Sequence, residues 1–341
     1  MAQSVGLTTT VPVEVLLAAD VTPTDLNNVF ISADDRDELV TRAELDGYPQ
    51  NVCGWIKGIY STVLSRGIDK IVAVTQGDCS QTHAMVETLQ AAGVEVFPFS
   101  YPYDRDRGLL RLQIQRMVEH FGTTWEAAEE ARRALVPVRR QLAELDRLTW
   151  EEGRITGAEN HLYLVSASDF QSDVKGFGKD LGNLLSRAKR RSPDTARIRL
   201  GVIGVPPIMT DLYEVLQDLG VAVVYNEVQR QFAMVANDAE DLLEQYALYT
   251  YPYDVFGRIE DINREISRRR LDGIVHYVQT FCYRQIQDIM LKRRLSAPVL
   301  TIEGDRPTPV DARSRLRLEA FVESLQARRA LPSPPGARGV G

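Results

Sequence analysis

The strongest constraint on how this chain can fold is one stretch that it contains twice. Asp69, Ile71, Val72, Gln76 and Cys79 recur as Asp272, Ile274, Val275, Gln279 and Cys282, at one ungapped offset of 282 − 79 = 203. The same offset pairs Tyr48-Pro49 with Tyr251-Pro252, Gly54 with Gly257, Arg66 with Arg269 and Val96 with Val299. About a quarter of some fifty positions coincide, so a duplicated structural unit is expected. The length of 341 residues agrees, since a prior of roughly 150 residues per domain gives about two.

Within each copy the hydrophobic pattern alternates helix and strand. Cys53 to Arg66 suits a helix, Asp69 to Thr75 is a β-branched strand, Ser80 to Ala92 is a helix stopped by Gly93, and Val94 to Phe99 is the next strand. Ile198 to Val205, Asp211 to Leu219 and Val221 to Glu227 repeat that alternation before the second copy. This is the pattern of parallel sheets covered by helices, an α/β class. Val11 to Ala19 reads as a short helix opened by Pro12, with Glu14 in the first turn where the helix dipole favours a carboxylate. Arg105 to Thr149 and Gly153 to Arg191 read as a helical layer, interrupted at Gly108, Gly122 and Pro137. The expected organisation is an N-terminal α/β domain over 1–110 with Cys53 and Cys79, a helical connecting region over 111–195, a C-terminal α/β domain over 196–328 with Cys282, and a disordered tail over 329–341.

A hydrophobic content of 44% supplies ample core, and a net charge of −7 argues against nucleic acid or an anionic membrane as the main partner. No apolar run approaches the roughly 20 residues of a membrane span, and the first ten residues lack a signal-peptide pattern, so a cytoplasmic location is expected. Three cysteines in so long a chain make no disulfide framework.

Cys79 and Cys282 each follow a strand and precede a helix, which places both thiols at carboxyl ends of parallel strands, where open α/β sheets bind ligands. A helix N-terminus should also lower thiol pKa and favour thiolate. Cys53 heads the helix before the first copy's strand, and its repeat partner is Phe256. Facing domains would bring Cys53, Cys79 and Cys282 into one cleft, with Phe256 standing where a fourth thiolate would be. Thiolates select zinc, copper(I) or iron–sulfur clusters. Three of them leave a cluster iron with an exchangeable position, whereas zinc would take His83 as a fourth ligand. Buried spectator thiols are the other alternative.

The runs FCYRQIQDIMLKRRLSAPVLTIEGD and RSRLRLEAF, Gly77-Asp78-Cys79, the Asn51–Gly54 motif and the opening VPVEVLLAAD together resemble the 2-hydroxyacyl-CoA dehydratase family, to which benzoyl-CoA reductase subunits also belong. The resemblance covers nearly the whole chain. It implies two Rossmann-like domains with a helical region, holding a [4Fe–4S] cluster through Cys53, Cys79 and Cys282. It also implies an oxygen-sensitive lyase acting on an acyl-CoA substrate. An ATP-hydrolysing [4Fe–4S] activator supplies one electron, a ketyl radical forms from the thioester and the 2-hydroxyl leaves. The partner would be a sister subunit or a second copy in a homodimer. Reduction of an aromatic-CoA or non-CoA substrate, or a non-catalytic electron-relay subunit, are the alternatives within this resemblance. Where family members commonly read Ala-Ala-Gly, this chain has Ala18-Ala19-Asp20, in a loop expected near the active site.

Further residues have defined expectations. Glu14 aligns with the opening motif's glutamate and is the candidate catalytic residue, moving a proton near the thioester, or else is a locally satisfied helix-start carboxylate. Glu227 and Glu303 end strands, as cleft residues or turn caps. His276 is expected to be a satisfied core histidine, Gln76 and Gln279 to donate to the cluster or fix the turns, and Arg268 to Arg270 to be solvated or to grip a CoA phosphate. Lys175-Gly176-Phe177-Gly178 has no strand before it and is a weak phosphate loop.

Overall fold

The computed structural model describes residues 3–195, 198–235 and 239–330. Two four-stranded parallel sheets carry the fold. The first contains β1 (Gln3–Leu7), β2 (Val21–Asp25), β3 (Lys70–Gln76) and β4 (Glu95–Ser100) in the order β2-β1-β3-β4. The second contains β5 (Ile198–Gly204), β6 (Val221–Asn226), β7 (Gly273–Gln279) and β8 (Val299–Gly304) in the matching order β6-β5-β7-β8. Ile71 pairs with Val96 and Ile274 with Val299, so the offset of the sequence repeat is also the offset of the strand register. The two sheets are thus Rossmann-like parallel sheets of one topology.

β1, β2 and the helices Leu26–Ser32 and Arg36–Leu45 carry no strong pattern and are additions to the sequence reading. β1 is only five residues long, and it is fixed as a strand by pairing with both β2 and β3 rather than by its own composition. The expected helix near the N-terminus is present as Val13–Ala18, the βαβ crossover between β1 and β2. Asp20 follows it with φ of 55°, the left-handed conformation that glycine takes freely and aspartate tolerates. The expectation that this loop lies near the active site is corrected. Asp20 precedes β2, whose five residues at roughly 3.3 Å each separate it from the carboxyl edge.

The helical layer comprises Arg107–His120, Trp125–Trp150, Gly157–Val165 and Val174–Ala188. The break falls at residues 121–124, where the Thr124 side chain caps the next helix, and not at Pro137, which lies inside an unbroken helix. Buried Leu135 and Val138 on either side hold that turn by packing. The Lys175–Gly178 stretch is the first turn of Val174–Ala188, with Phe177 in the core. The last helix runs Ala312–Ala330; the rest of the expected tail lies outside the described residues.

One basic run departs from its expectation. Arg269 is fully buried, pairing with Asp146 at 2.5 Å and Glu265 at 2.6 Å and donating to the Val224 carbonyl at 2.7 Å. It ties helix Trp125–Trp150 to β6 and to helix Val255–Arg269, so it is neither solvated nor free for a phosphate. Breaking a buried pair leaves a charge uncompensated, which typically costs about 3–5 kcal/mol. Asp146→Ala is therefore expected to lower the unfolding free energy by about that amount in urea denaturation.

Candidate functional site

The carboxyl edges of the two sheets face each other across a cavity of ≈ 110 Å³. Its wall takes Thr8 and Thr9 after β1, Asp25 at the end of β2, Asp78 and Cys79 after β3, Pro206 and Pro207 after β5, and Gln279 and Cys282 at and after β7. Cys53, the N-cap of helix Gly54–Ser65, completes a set of three cysteines on one wall. All three thiols are free.

Backbone contacts between the halves hold the three cysteine segments. Gly77 has φ of 100°, and a Cβ there would lie 2.9 Å from Pro252 and from Tyr101. A Cβ on Gly54 would run into the Asp305 carbonyl, which follows β8. Gln279 donates Nε2–H to that same carbonyl at 2.8 Å. The Cys53 N–H donates to Gln81 Oε1 at 3.0 Å. From the other half, Tyr283 donates its hydroxyl to the Asp78 carbonyl at 2.7 Å and Arg284 donates Nη2–H to the Gly77 carbonyl at 2.9 Å. The residues after Cys282 thereby clamp the loop that carries Cys79.

Electrostatics at the thiols reverses the sequence expectation. Burial pushes the Cys53 thiol up to about 12, and Cys79 and Cys282 are raised as well, burial again being the largest cause. Nearby backbone N–H groups lower each one, as helix starts should, but desolvation outweighs them. Without metal these are neutral thiols. A bound metal reverses that balance by taking the thiolates as ligands.

Phe256 is corrected: it does not line the cavity, but is 48% exposed with its ring 5.3 Å from the Arg294 guanidinium. His83 is exposed and outside the wall. Among the described residues no group of three His, Cys, Asp or Glu side chains is set to hold a single metal ion. The repeat pair Gln76 and Gln279 also separates, Gln279 being buried on the wall while Gln76 is exposed and borders a different pocket.

Glu14 is not on the wall either. It is fully buried, paired with Arg139 at 2.6 Å and accepting hydrogen bonds from Gln245 at 2.7 Å and Tyr246 at 2.8 Å. Burial raises its pKa, but Arg139 and these donors overcome that and leave it lowered. Its role is to join the first crossover helix to helices Trp125–Trp150 and Leu242–Leu248. Glu227 caps the turn after β5 through the Gly204 N–H at 2.9 Å and pairs with Arg258 at 2.7 Å. Glu303 is exposed and accepts from Gln285. His276 is the satisfied core histidine expected, with Nδ1 2.8 Å from Asp288.

Two wall residues, Asp25 and His161, gave no signal in the sequence. Asp25 accepts from the Asn27 N–H at 2.9 Å, and its own N–H donates to Asp169 at 2.7 Å. Burial raises both acids, Asp169 to about 7, and burial raises Asp78 to about 6. Protonated carboxyls at the cavity are thus accessible near neutral pH. His161 stacks on Tyr213 and places Nδ1 2.9 Å from Gln229 Nε2. The direction of that hydrogen bond follows the tautomer of the imidazole. Asp25 and His161 come from segments with no motif around them.

A family model matches residues 8–325, and its description is the D-component of 2-hydroxyglutaryl-CoA dehydratase. The chain belongs to that family. No curated protein matches it. In this D-component the matched region holds every cysteine and every strand from β2 to β8. No helix among the described residues is long and apolar enough to cross a membrane.

Burial lowers the His161 pKa to about 4. The ring is expected to stay neutral between pH 5 and 8 in ¹⁵N NMR of the imidazole nitrogens, and a titration midpoint above pH 6 would contradict that placement.

Proposed function

We propose that the chain is the [4Fe–4S] subunit of a 2-hydroxyacyl-CoA dehydratase-type enzyme, a hydro-lyase, with Cys53, Cys79 and Cys282 as the cluster's ligands. The observation that carries this reading is that three cysteines far apart in sequence line one cavity between two sheet edges. Its donor set fits the group. Three thiols are soft ligands of the kind such a cluster takes, and the Arg284 guanidinium on the same wall has no carboxylate partner among the described residues to balance its charge. The family membership points the same way.

When bound, the cluster supplies one electron at low potential and an iron with a position that no protein thiolate fills. The chain's own residues do the rest. A cavity of ≈ 110 Å³ admits several waters at roughly 10–15 Å³ each, but not a whole CoA thioester. Only the acyl end enters, and the nucleotide stays outside. Apolar side chains such as Ile31, Ile56 and Phe232 exclude water from that end. His161, a neutral imidazole on the wall, is the candidate hydrogen-bond partner for the acyl group. Asp25, sharing its buried site with Asp169, supplies the proton that a departing hydroxyl takes up as water. The electron comes from an ATP-hydrolysing activator, and the chain works beside a sister subunit or a second copy of itself.

Anaerobic purification with iron, sulfide and zinc analysis tests the reading. About four iron and four sulfide per chain are expected, with Cys282→Ser retaining little of either. Stoichiometric zinc, or full iron content in that variant, would refute the ligand assignment. Asp25→Asn should bind the cluster normally and lower turnover by about 10²–10⁴-fold with a 2-hydroxyacyl-CoA; unchanged turnover would remove Asp25 from the chemistry.

A further inference from the structure

Four arginines are buried among the described residues, and three of them meet carboxylates. Arg230 pairs with Asp261 at 2.8 Å, Arg258 with Glu227 at 2.7 Å and Arg269 with Asp146 at 2.5 Å. Arg284 is the fourth. It is 6% exposed, lies on the cavity wall, and among the described residues has no carboxylate within ion-pair distance. Its Nη1 is buried without a hydrogen-bond partner.

A buried cation without a counter-ion is strongly unfavourable, so a site that keeps one is built for an anionic occupant. Asp78 acts on Arg284 through its charge without forming an ion pair with it. The guanidinium cannot swing out to find water. It is stacked 4.3 Å over the Tyr251 ring and 5.3 Å over the Tyr283 ring, and Nη2 is tied to the Gly77 carbonyl at 2.9 Å. The positive charge is therefore fixed between the Cys79 loop and the Cys282 turn. Nη1 is closed off from the void, so it acts through its field more than by gripping a mobile ligand.

Three thiolates on a [4Fe–4S]²⁺ core carry a net charge of about −1, which becomes about −2 when one electron is added. A fixed positive charge stabilises the second state more than the first. We propose that Arg284 is the built-in counter-charge of the cluster and biases it toward its reduced state. This rests on the cluster reading above and adds a role for a residue that is not itself a ligand.

The test is an anaerobic redox titration of the reconstituted full chain, followed by the electron paramagnetic resonance of the reduced cluster. Arg284→Gln is expected to lower the equilibrium constant for reduction by about tenfold or more, a fall of about 59 mV in midpoint potential for one electron. Arg284→Lys keeps the charge and should stay within about threefold of the wild type, as should the exposed Arg66→Gln. Equal potentials in Arg284→Gln and the wild type would overturn the proposal while leaving the cluster reading intact. A lysine variant shifted as far as the glutamine variant would also overturn it, because the lost Gly77 tether and not the charge would be the cause. If Arg284→Gln loses its iron and Arg284→Lys keeps it, the charge is needed to hold the anion, which supports the proposal. Loss in both overturns it, and a wild type that takes up no iron overturns the cluster reading and this inference together.

Discussion

The site depends on how closely two sheet edges can approach. At Gly77 and Gly54 the backbone of one half meets the backbone of the other, and a single methyl group at either point would hold them apart. Tyr283 and Arg284 then close hydrogen bonds onto carbonyls of the Cys79 loop. Interiors packed at crystal-like density transmit such constraints without slack. Three thiols carried by separate segments therefore have fixed mutual positions before any metal arrives.

That same closeness determines the chemistry of the thiols. Cys53 and Cys282 are N-caps and Cys79 lies two residues before one, and backbone N–H groups favour the thiolate of each, yet burial raises the pKa of all three. Local electrostatics and burial oppose each other, and burial wins. Thiols held neutral in this way are protected from casual reaction at neutral pH. Burial acts on Asp25, Asp78 and Asp169 in the same direction, raising the pKa of each carboxyl.

The duplication explains the scaffold better than it explains the site. Strand order and register obey the repeat, whereas on the wall only the pair Cys79 and Cys282 does. Gln279 faces the cavity and Gln76 faces solvent; Cys53 faces the cavity and Phe256 a surface arginine. The helical layer packs against the first crossover helix, with Glu14 buried in that contact, and it contributes His161 to the cavity wall. Two equivalent halves thus frame a site that is not itself symmetric.

Periodicity and the 203-residue offset were enough to read the α/β class, six of the eight strands and the placement of Cys79 and Cys282 at strand ends. Those features are local, since β-branched runs and glycine stops act within one element. β1 and β2 were not legible, because their strand state comes from neighbours on the sheet. Neither was the exclusion of Glu14 and Phe256 from the cavity, nor the inclusion of Asp25, His161 and Arg284, because a side chain's facing depends on which distant segment packs over it. The sequence by itself determined which thiols the chain has and which edge of each sheet they approach. Only the tertiary structure decided that they share one water-poor cavity with an unpaired guanidinium, because burial and long-range charge are properties of the packed molecule and not of any segment in it.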